Sequence, residues 1–239
     1  MSEKILQLDI EGLNKDFKDK SPQQVLEWAL EKFNPKIALA SSFGAEDIVL
    51  INMIKKINPD ARIFTLETGR LHQETYDLMD KVNTRFGDLE VYYPDTAEVE
   101  DMVRKHGVNL FSNSVELRKL CCRIRKVGPL NRALCGLDAW ITGLRQDQAA
   151  SRSDTPKIEV DSAHRGIIKI NPIIDYTSEE VWNYIRENNL PYNALHDSGY
   201  PSIGCAPCTR AVKPGEDARA GRWWWEPREQ SECGLHVKA

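Results

Sequence analysis

Short apolar runs alternate with amphipathic helical patterns through the first two-thirds of the chain, and this alternation limits the fold more than any other feature. The apolar runs lie at residues 36–40, 62–66, 90–93 and 139–144. Parallel strands need crossover connections of about a dozen residues, usually helices, whereas antiparallel strands can be joined by tight turns. The order of elements therefore predicts βαβ units and an α/β fold built on a Rossmann-like parallel sheet.

Three helices carry a capping signal, in which a small polar residue is followed three positions later by Gln or Glu. The pairs are Ser21 and Gln24, Asp95 and Glu98, and Thr177 and Glu180. Pro22 strengthens the first signal because proline favours the first helical position, and Asn34-Pro35 ends that helix. Residues 157–160 and 167–170 are predicted to pair as a hairpin.

Helical periodicity fades after about residue 189, where glycine, proline and cysteine become frequent. We therefore divide the chain into an N-terminal helical segment (1–35), an α/β domain (36–190) and a C-terminal segment (191–239). No internal repeat interrupts this order.

Composition indicates a protein of the cytoplasm. The 239 residues are 41% hydrophobic, which suffices for a core, and no apolar run approaches the roughly 18 residues needed to cross a bilayer. The first residues lack the basic and then apolar pattern of a secretory signal. Six cysteines without an export signal favour metal or redox chemistry over disulfide bonds.

Charge is distributed unevenly along the chain. The net charge is −4, but residues 104–132 hold eight Lys or Arg side chains and one acid, Glu116. A basic segment in an otherwise acidic chain suits a small anionic ligand, because a nucleic-acid backbone would be repelled by most of the surface. A solvated helix face would give the same pattern, but the cysteine pair within this segment favours the ligand. No nucleic-acid partner is expected.

Two loops follow strands and contain small or basic residues. The first consists of Ser41, Ser42, Phe43 and Gly44, and the second contains Gly143, Arg145 and Arg152. Ligands of open α/β sheets bind at the carboxyl ends of strands, where backbone N–H groups at a helix N-terminus attract anions. The acids that end the first loop, Glu46 and Asp47, disfavour a polyphosphate. An ordinary strand-to-helix connection is the alternative for each loop.

Four cysteines form two close pairs, a pattern typical of a metal or cluster site. The pairs are Cys121-Cys122 and Cys205-x-x-Cys208. Adjacent residues on a regular helix point about 100° apart, so both thiols of the first pair reach one centre only if the helix bends or the centre has several metal corners. This favours an iron–sulfur cluster, with zinc as the alternative. Cys135, among apolar neighbours, is predicted to be a buried, inert thiol.

The remaining cysteine, Cys233, lies in a polar tail that contains glycine. Arg219 and Arg222 precede it, and His236 follows it. Cations near a thiol raise its thiolate fraction, and guanidinium groups bind sulfate or phosphate through two donors. The tail is therefore a candidate nucleophile site. We expect at least two of the three tryptophans at 223–225 to anchor the tail.

Together these motifs resemble the assimilatory adenylylsulfate reductases, thioredoxin-dependent enzymes of the phosphoadenylylsulfate/adenylylsulfate reductase family that reduce activated sulfate to sulfite. The similarity runs from about Lys36 to Leu235 and is most specific at the two cysteine pairs and the terminal Glu-Cys-Gly-Leu-His. It implies a fold of the adenine-nucleotide α-hydrolase type. Gln146 departs from the family pattern, in which a second arginine often follows Arg145.

The resemblance implies a role for each group of residues. A 4Fe–4S cluster, one per chain, would be held by Cys121, Cys122, Cys205 and Cys208. Cys233 would be the nucleophile, with His236 beside the sulfo group. The phosphosulfate would contact Lys126, Arg219 and Arg222. The nucleotide would contact Ser41, Ser42, Phe43, Gly44, Leu66, Thr68, Gly143, Arg145 and Arg152.

These roles give a reaction in two stages. The Cys233 thiolate attacks the sulfur of adenylylsulfate, AMP leaves, and a thiosulfonate forms on the protein. A dithiol, thioredoxin or a glutaredoxin-like protein, then releases sulfite. The resemblance also implies a place in sulfate assimilation and cysteine biosynthesis, and a homo-oligomer is expected.

Two alternatives stay open. The substrate could be 3′-phosphoadenylylsulfate, alone or together with adenylylsulfate, although family members of that specificity commonly lack the four cluster cysteines. The chain could instead be a metal-pinned nucleotide-binding module without chemistry, or a tRNA-thiolating relative. An accessible Cys233 close in sequence to two arginines counts against a module, which has no need of one.

Overall fold

The computed structural model describes residues 8–148 and 152–227. The helices are α1 (Ile10–Asp16), α2 (Pro22–Phe33), α3 (Ala45–Ile57), α4 (Gln73–Phe86), α5 (Thr96–His106), α6 (Val115–Cys122), α7 (Gly128–Ala133) and α8 (Ser178–Glu187). The strands are β1 (Ile37–Ser41), β2 (Arg62–Leu66), β3 (Leu89–Tyr92), β4 (Ala139–Ile141), β5 (Ile158–Asp161) and β6 (Ile167–Ile170). None of the helices in these two ranges is both long and apolar enough to cross a bilayer.

The strands form one six-stranded sheet in the order β3-β2-β1-β4-β6-β5. β1 pairs in parallel with β4, and β4 pairs in parallel with β6. The edge strand β5 is antiparallel to β6, with Ile158 opposite Ile170, which confirms the predicted hairpin. The α/β class is confirmed, but the sheet is mixed because the short β5–β6 connection leaves no room for a crossover helix.

The predicted helix N-termini are confirmed at atomic detail. Ser21 and Thr177 each form a reciprocal capping box with the residue three positions later, and Asp95 accepts a hydrogen bond from the Glu98 N–H. The end of β4 was predicted three residues too late. The Thr142 N–H still donates to Ile170 O, but the chain then leaves the sheet in the loop that begins at Gly143.

Within the described residues the chain forms two compact units, each assembled from separate stretches. The first comprises residues 8–64, 75–90, 136–148 and 152–193. Its core is a large apolar cluster contributed by α2, α3, α4, α8 and every strand except β3. The second comprises residues 65–74, 91–135 and 194–227, and it contains both cysteine pairs. The division into three consecutive domains stays a prediction.

Cys135 corrects one sequence-based prediction, because its side chain is exposed. It lies in the turn that follows α7, where its N–H donates to Arg132 O and the next residue, Gly136, has a φ of 83°. Its neighbours Leu134 and Leu137 are buried. A turn directs neighbouring side chains to different sides, so an apolar sequence context did not make the thiol a core residue.

Candidate active site

The β1–α3 loop of the first unit is closed by its own side chains. Ser42 donates from its backbone N–H and from Oγ to Asp47 Oδ2, at 2.6 and 2.8 Å. The Gly44 backbone also bonds to the Asp47 carboxylate, and the Phe43 N–H donates to Ser41 Oγ at 3.2 Å. Asp47 therefore takes up donors that were expected to serve an external anion.

The predicted contact residues of this loop differ in exposure. Ser42 is exposed and Gly44 is half-buried, whereas Ser41 and Phe43 are buried. Phe43 has a φ of 60°, in the left-handed region, and its ring packs in the apolar core of the unit. Only the backbone of Phe43 is left for the predicted ligand contact.

Arg145 is bonded to two acids. Its Nε donates to Glu46 Oε1 at 2.8 Å, and its Nη1 donates to both carboxylate oxygens of Asp147 at 2.5 and 2.6 Å. Gln148 donates to Glu46 Oε1 at 3.0 Å and accepts a hydrogen bond from Arg152. This pairing offsets the acidic charge beside the loop and leaves Arg145 fewer donors for a ligand.

Gly143 lies directly against the β1–α3 loop. A Cβ at this position would clash with the Asp47 carboxylate. Gly143 was predicted to contact the nucleotide, and in the structure the group that approaches it is the Asp47 carboxylate.

Burial raises the pKa of Asp47 to about 6, with a smaller upward contribution from Glu46. The hydrogen bonds from Ser42 and Gly44 lower it but do not cancel the effect of burial. Asp47 is thus a buried carboxyl that takes up a proton in mildly acidic solution.

We expect Asp47 to make the free energy of unfolding fall as the pH rises. A carboxyl whose pKa is higher in the folded than in the unfolded chain binds its proton more tightly when folded. This contribution is complete below the ordinary pKa of 3.8 and is lost as the pH passes 6; two pH units correspond to about 3 kcal/mol. Denaturant unfolding at pH 4 and pH 7 should show Asp47→Asn gaining about this amount relative to the wild type. A difference that does not change with pH would contradict the expectation.

In the second unit, the first cysteine pair lies where the helix changes its winding. α6 is capped by Ser114 and ends at Cys121 and Cys122, and the next five residues, Arg123–Val127, are π-helical. A π-helical turn closes its hydrogen bonds one residue later than an α-helical turn, so the direction of successive side chains changes there. Both thiols line the same pocket, as the predicted irregularity in the helix would allow.

The second cysteine pair completes this pocket, which we call the thiol pocket. Cys205 and Cys208 flank a short turn in which the Cys208 N–H donates to Cys205 O at 2.9 Å. The Ala206 N–H donates to Arg70 O at 2.8 Å, which connects the turn to the segment after β2. In that segment Thr68 Oγ1 lies 3.4 Å from Cys205 Sγ. Thr68, predicted to bind nucleotide, therefore contacts a pocket thiol, while Leu66 at the end of β2 is half-buried.

Among the described residues, four cations line the thiol pocket: Arg70, Arg118, Arg125 and Lys126. Lys126 was predicted, and it lies in the π-helical segment. Arg125, which was not predicted, donates from Nη1 to Thr68 O at 2.6 Å and hydrogen-bonds to Cys121. Helical spacing could have found two of these residues, because Arg118 precedes Cys122 by four positions and Arg125 follows Cys121 by four.

Burial raises the pKa of two pocket thiols. The pKa of Cys121 rises, and that of Cys208 rises to about 12 because the neighbouring cysteines add to the effect of burial. Among residues 8–148 and 152–227, no three His, Cys, Asp or Glu side chains are placed to hold a single metal ion. Thiolates in this pocket require enough positive charge nearby to offset the cost of burial.

The two arginines predicted to bind phosphosulfate lie in the C-terminal segment of the second unit. Arg222 is buried, its Cζ is 4.7 Å from the Trp223 ring centroid, and its Nη1 donates to Ile203 O at 3.1 Å. Gly204 permits this packing, since a Cβ there would clash with the guanidinium. Arg219 is half-buried. Neither arginine is among the described residues that line the thiol pocket.

The three tryptophans that follow Arg222 differ in burial. Trp223 is 1% exposed, and Trp225 packs against Phe111 with ring centroids 6.0 Å apart. Trp224 is 46% exposed. Trp223 and Trp225 therefore pack in an apolar cluster of the second unit, whereas the tail that they were expected to anchor lies outside the described residues.

Cys233 and His236 lie outside the described residues, so the roles predicted for them stay predictions. The described residues of the second unit bring Lys126 and the four paired cysteines into one pocket. Those of the first unit bring Ser42, Gly143 and Arg145 to Asp47 and Glu46.

Comparisons with known proteins agree with this description. A protein-family model described as the phosphoadenosine phosphosulfate reductase domain matches residues 36–211. The adenosine 5′-phosphosulfate reductase of Burkholderia cepacia is 51% identical over 203 residues, which are 84% of this chain and 81% of that protein. The protein of the same name from Pseudomonas aeruginosa (strain LESB58) is 46% identical over 235 residues, which are 96% of this chain and 87% of that protein.

A crystal structure shows the same fold. The phosphoadenylyl-sulfate (PAPS) reductase of Candida auris, in a phosphate complex, is similar with a TM-score of 0.74 and 37% identity, over 86% of this chain and 97% of that chain. These similarities confirm the resemblance that the sequence motifs indicated. The chain belongs to the family defined by the phosphoadenosine phosphosulfate reductase domain.

Proposed function

We propose that this chain reduces adenylylsulfate to sulfite and AMP, with reduced thioredoxin or a glutaredoxin-like dithiol as the electron donor. The observation that carries the proposal is the thiol pocket, in which four cysteines and Lys126 converge. The names of the two curated relatives support an enzyme that acts on the sulfur of adenylylsulfate. The reaction would belong to sulfate assimilation and cysteine biosynthesis in the cytoplasm.

The proposed nucleophile is the Cys233 thiolate. Its Sγ attacks the sulfate sulfur of adenylylsulfate, the bond from that sulfur to the bridging oxygen breaks, and AMP leaves with the bonding electrons. One thiolate of the dithiol then attacks Cys233 Sγ, and sulfite leaves with the electron pair of the S–S bond. The second thiol resolves the mixed disulfide and restores Cys233. The sulfur gains two electrons, and the donor becomes a disulfide.

Cations of the second unit would offset the negative charge that develops on the bridging oxygen. Lys126 supplies one such cation from the π-helical segment. Arg219 and Arg222 are proposed as further phosphosulfate contacts, and the hydrogen bond from Arg222 to Ile203 O supports a fixed orientation for its guanidinium. His236 is proposed to lie beside the sulfo group.

We also propose that Cys121, Cys122, Cys205 and Cys208 hold a 4Fe–4S cluster, which when bound would act by position and electrostatics and need not change its redox state. The convergence of two distant cysteine pairs on one pocket supports this fit. Zinc is the alternative that metal analysis distinguishes.

The nucleotide is proposed to bind at the β1–α3 loop, with contacts at Ser42, Gly44 and the backbone of Phe43. The exposure of Ser42 supports this. Since Asp47 already accepts bonds from Ser42 and Gly44, binding of an anion there would compete with a buried carboxylate.

The proposal is tested by sulfite release from two nucleotides with reduced thioredoxin. We expect a much higher kcat/KM for adenylylsulfate than for its 3′-phosphorylated form, because the four paired cysteines accompany the first specificity. Equal or reversed values would favour the activity named for the Candida auris relative. No sulfite from either nucleotide would favour a binding module without chemistry.

A further inference from the structure

A buried ion pair in the second unit joins the helix of the first cysteine pair to the last described turn of the chain. Arg118 Nε donates to Glu226 Oε1 and Oε2 at 3.0 and 3.2 Å, and its Nη2 donates to Oε2 at 2.7 Å. Each of the two side chains is 1% exposed. A forked contact of this kind fixes direction as well as distance.

Arg118 also contacts one residue of the first cysteine pair and one residue of the last described turn. It hydrogen-bonds to the Cys122 thiol, and its Cζ lies 4.8 Å from the Trp223 ring centroid. The Glu226 N–H donates to Trp223 O at 2.9 Å, so both residues that contact Arg118 from this side belong to one turn. A single guanidinium thus connects the thiol pocket to the turn at residues 223–226.

Stability alone is a weak explanation for this pair. Two buried charges lose their hydration, so apolar side chains of similar volume often serve as well or better. Apolar contacts lack direction, however, whereas a guanidinium bound to a carboxylate through two donors has one geometry. The proposed chemistry does not use Arg118 or Glu226 directly, which leaves position as the property that the pair supplies.

We infer that Arg118 and Glu226 are positioning residues for the segment that carries Cys233. This inference rests on the proposed function, in which Cys233 is the nucleophile. Cys233 follows Glu226 by seven positions, and seven residues span at most about 25 Å. A turn held at residues 223–226 therefore fixes, relative to Cys122, the point from which the chain continues to Cys233.

The first test measures the rate at which Cys233 gains a sulfo group, by mass, in a single turnover without thioredoxin. Arg118→Lys keeps the charge but removes the fork, and Glu226→Gln keeps the shape but removes the charge. We expect both to slow adduct formation about tenfold to a hundredfold, with KM for adenylylsulfate changed by no more than about twofold. The matched control is Glu216→Gln, which breaks the partly exposed Arg210–Glu216 pair of the same unit and should react as the wild type does.

A second measurement does not depend on activity. Backbone hydrogen exchange of a peptide covering residues 222–227 should be faster in Arg118→Lys and Glu226→Gln than in the control, at unchanged iron content. Unchanged exchange in both variants would overturn the inference. If the wild type forms no adduct, the proposed function fails, and the exchange result alone decides whether the pair anchors the turn.

A double variant separates the loss of the directed contact from the cost of leaving one buried charge without its partner. Arg118→Met with Glu226→Leu removes both charges, so we expect thermal unfolding close to that of the wild type while adduct formation stays slow. Recovery of both stability and rate would show that only the unpaired charge matters, and would overturn the inference. Should Glu226→Gln fail to fold, Arg118→Lys and the double variant still make the comparison.

Discussion

Replacing Cys233 with serine should abolish sulfite formation from adenylylsulfate. A hydroxyl is a far weaker nucleophile than a thiolate at neutral pH, and no other residue in the proposed reaction can accept the sulfo group. Wild-type protein incubated with adenylylsulfate but no thioredoxin should gain the mass of one sulfo group on the peptide that contains Cys233. Reduced thioredoxin should then release that group as sulfite.

Cys135 supplies the matched control for this experiment, because its thiol is exposed and it is not among the residues of the thiol pocket. Cys135→Ser should keep full activity, and Cys233→Ser should still bind adenylylsulfate and keep the brown colour expected of an iron–sulfur protein. An adduct found on Cys135, or turnover retained by Cys233→Ser, would disprove the assignment of the nucleophile.

Protein purified without oxygen should be brown and contain about four irons per chain, and Cys208→Ser should lose most of this iron. Four thiolates are the usual ligands of a 4Fe–4S cluster, and a serine hydroxyl is a poor substitute for one of them. Cys208 is 8% exposed and belongs to the apolar cluster of the second unit, so the same change should also lower the thermal unfolding midpoint. Metal analysis and visible absorbance compare the iron content of Cys208→Ser with that of the wild type.

The same control variant serves here, since Cys135→Ser should keep the iron content of the wild type. A colourless wild-type protein that holds one zinc would contradict the cluster and favour a structural metal instead. Iron retained in full by Cys208→Ser would show that this cysteine is not a ligand.

Structural features that depend on residues close together in the sequence could be predicted well. The capping pairs at Ser21, Asp95 and Thr177 place the starts of three helices, because a cap is formed by residues only three positions apart. Apolar runs indicated β1 and β4 because these central strands are buried on both faces of a largely parallel sheet. The end of β4 was predicted wrongly, since an apolar residue such as Leu144 is buried in a loop as readily as in a strand.

The candidate site likewise has a part that the sequence predicted and a part that only the structure shows. Spacing identified the two cysteine pairs, and the resemblance that they help to carry implied the role of Lys126; the family match confirms that resemblance. Sequence could not show that Asp47 takes up the loop donors, or that Arg145 is bonded to Glu46, a residue 99 positions away. Each of these depends on which polar groups the fold places within about 3 Å, and a pattern of residue types carries no such distance.

The sequence by itself determined the order of helices and strands, the family and the residue types available for chemistry, because these follow from local periodicity and from short motifs. Only the tertiary structure decided which of those residues meet. It joined Cys121 and Cys122 to Cys205 and Cys208 in one pocket, exposed Cys135, and paired Arg118 with Glu226 across 108 positions. Buried polar and charged groups must find partners wherever the folded chain brings them, so their pairing is a property of the packed molecule.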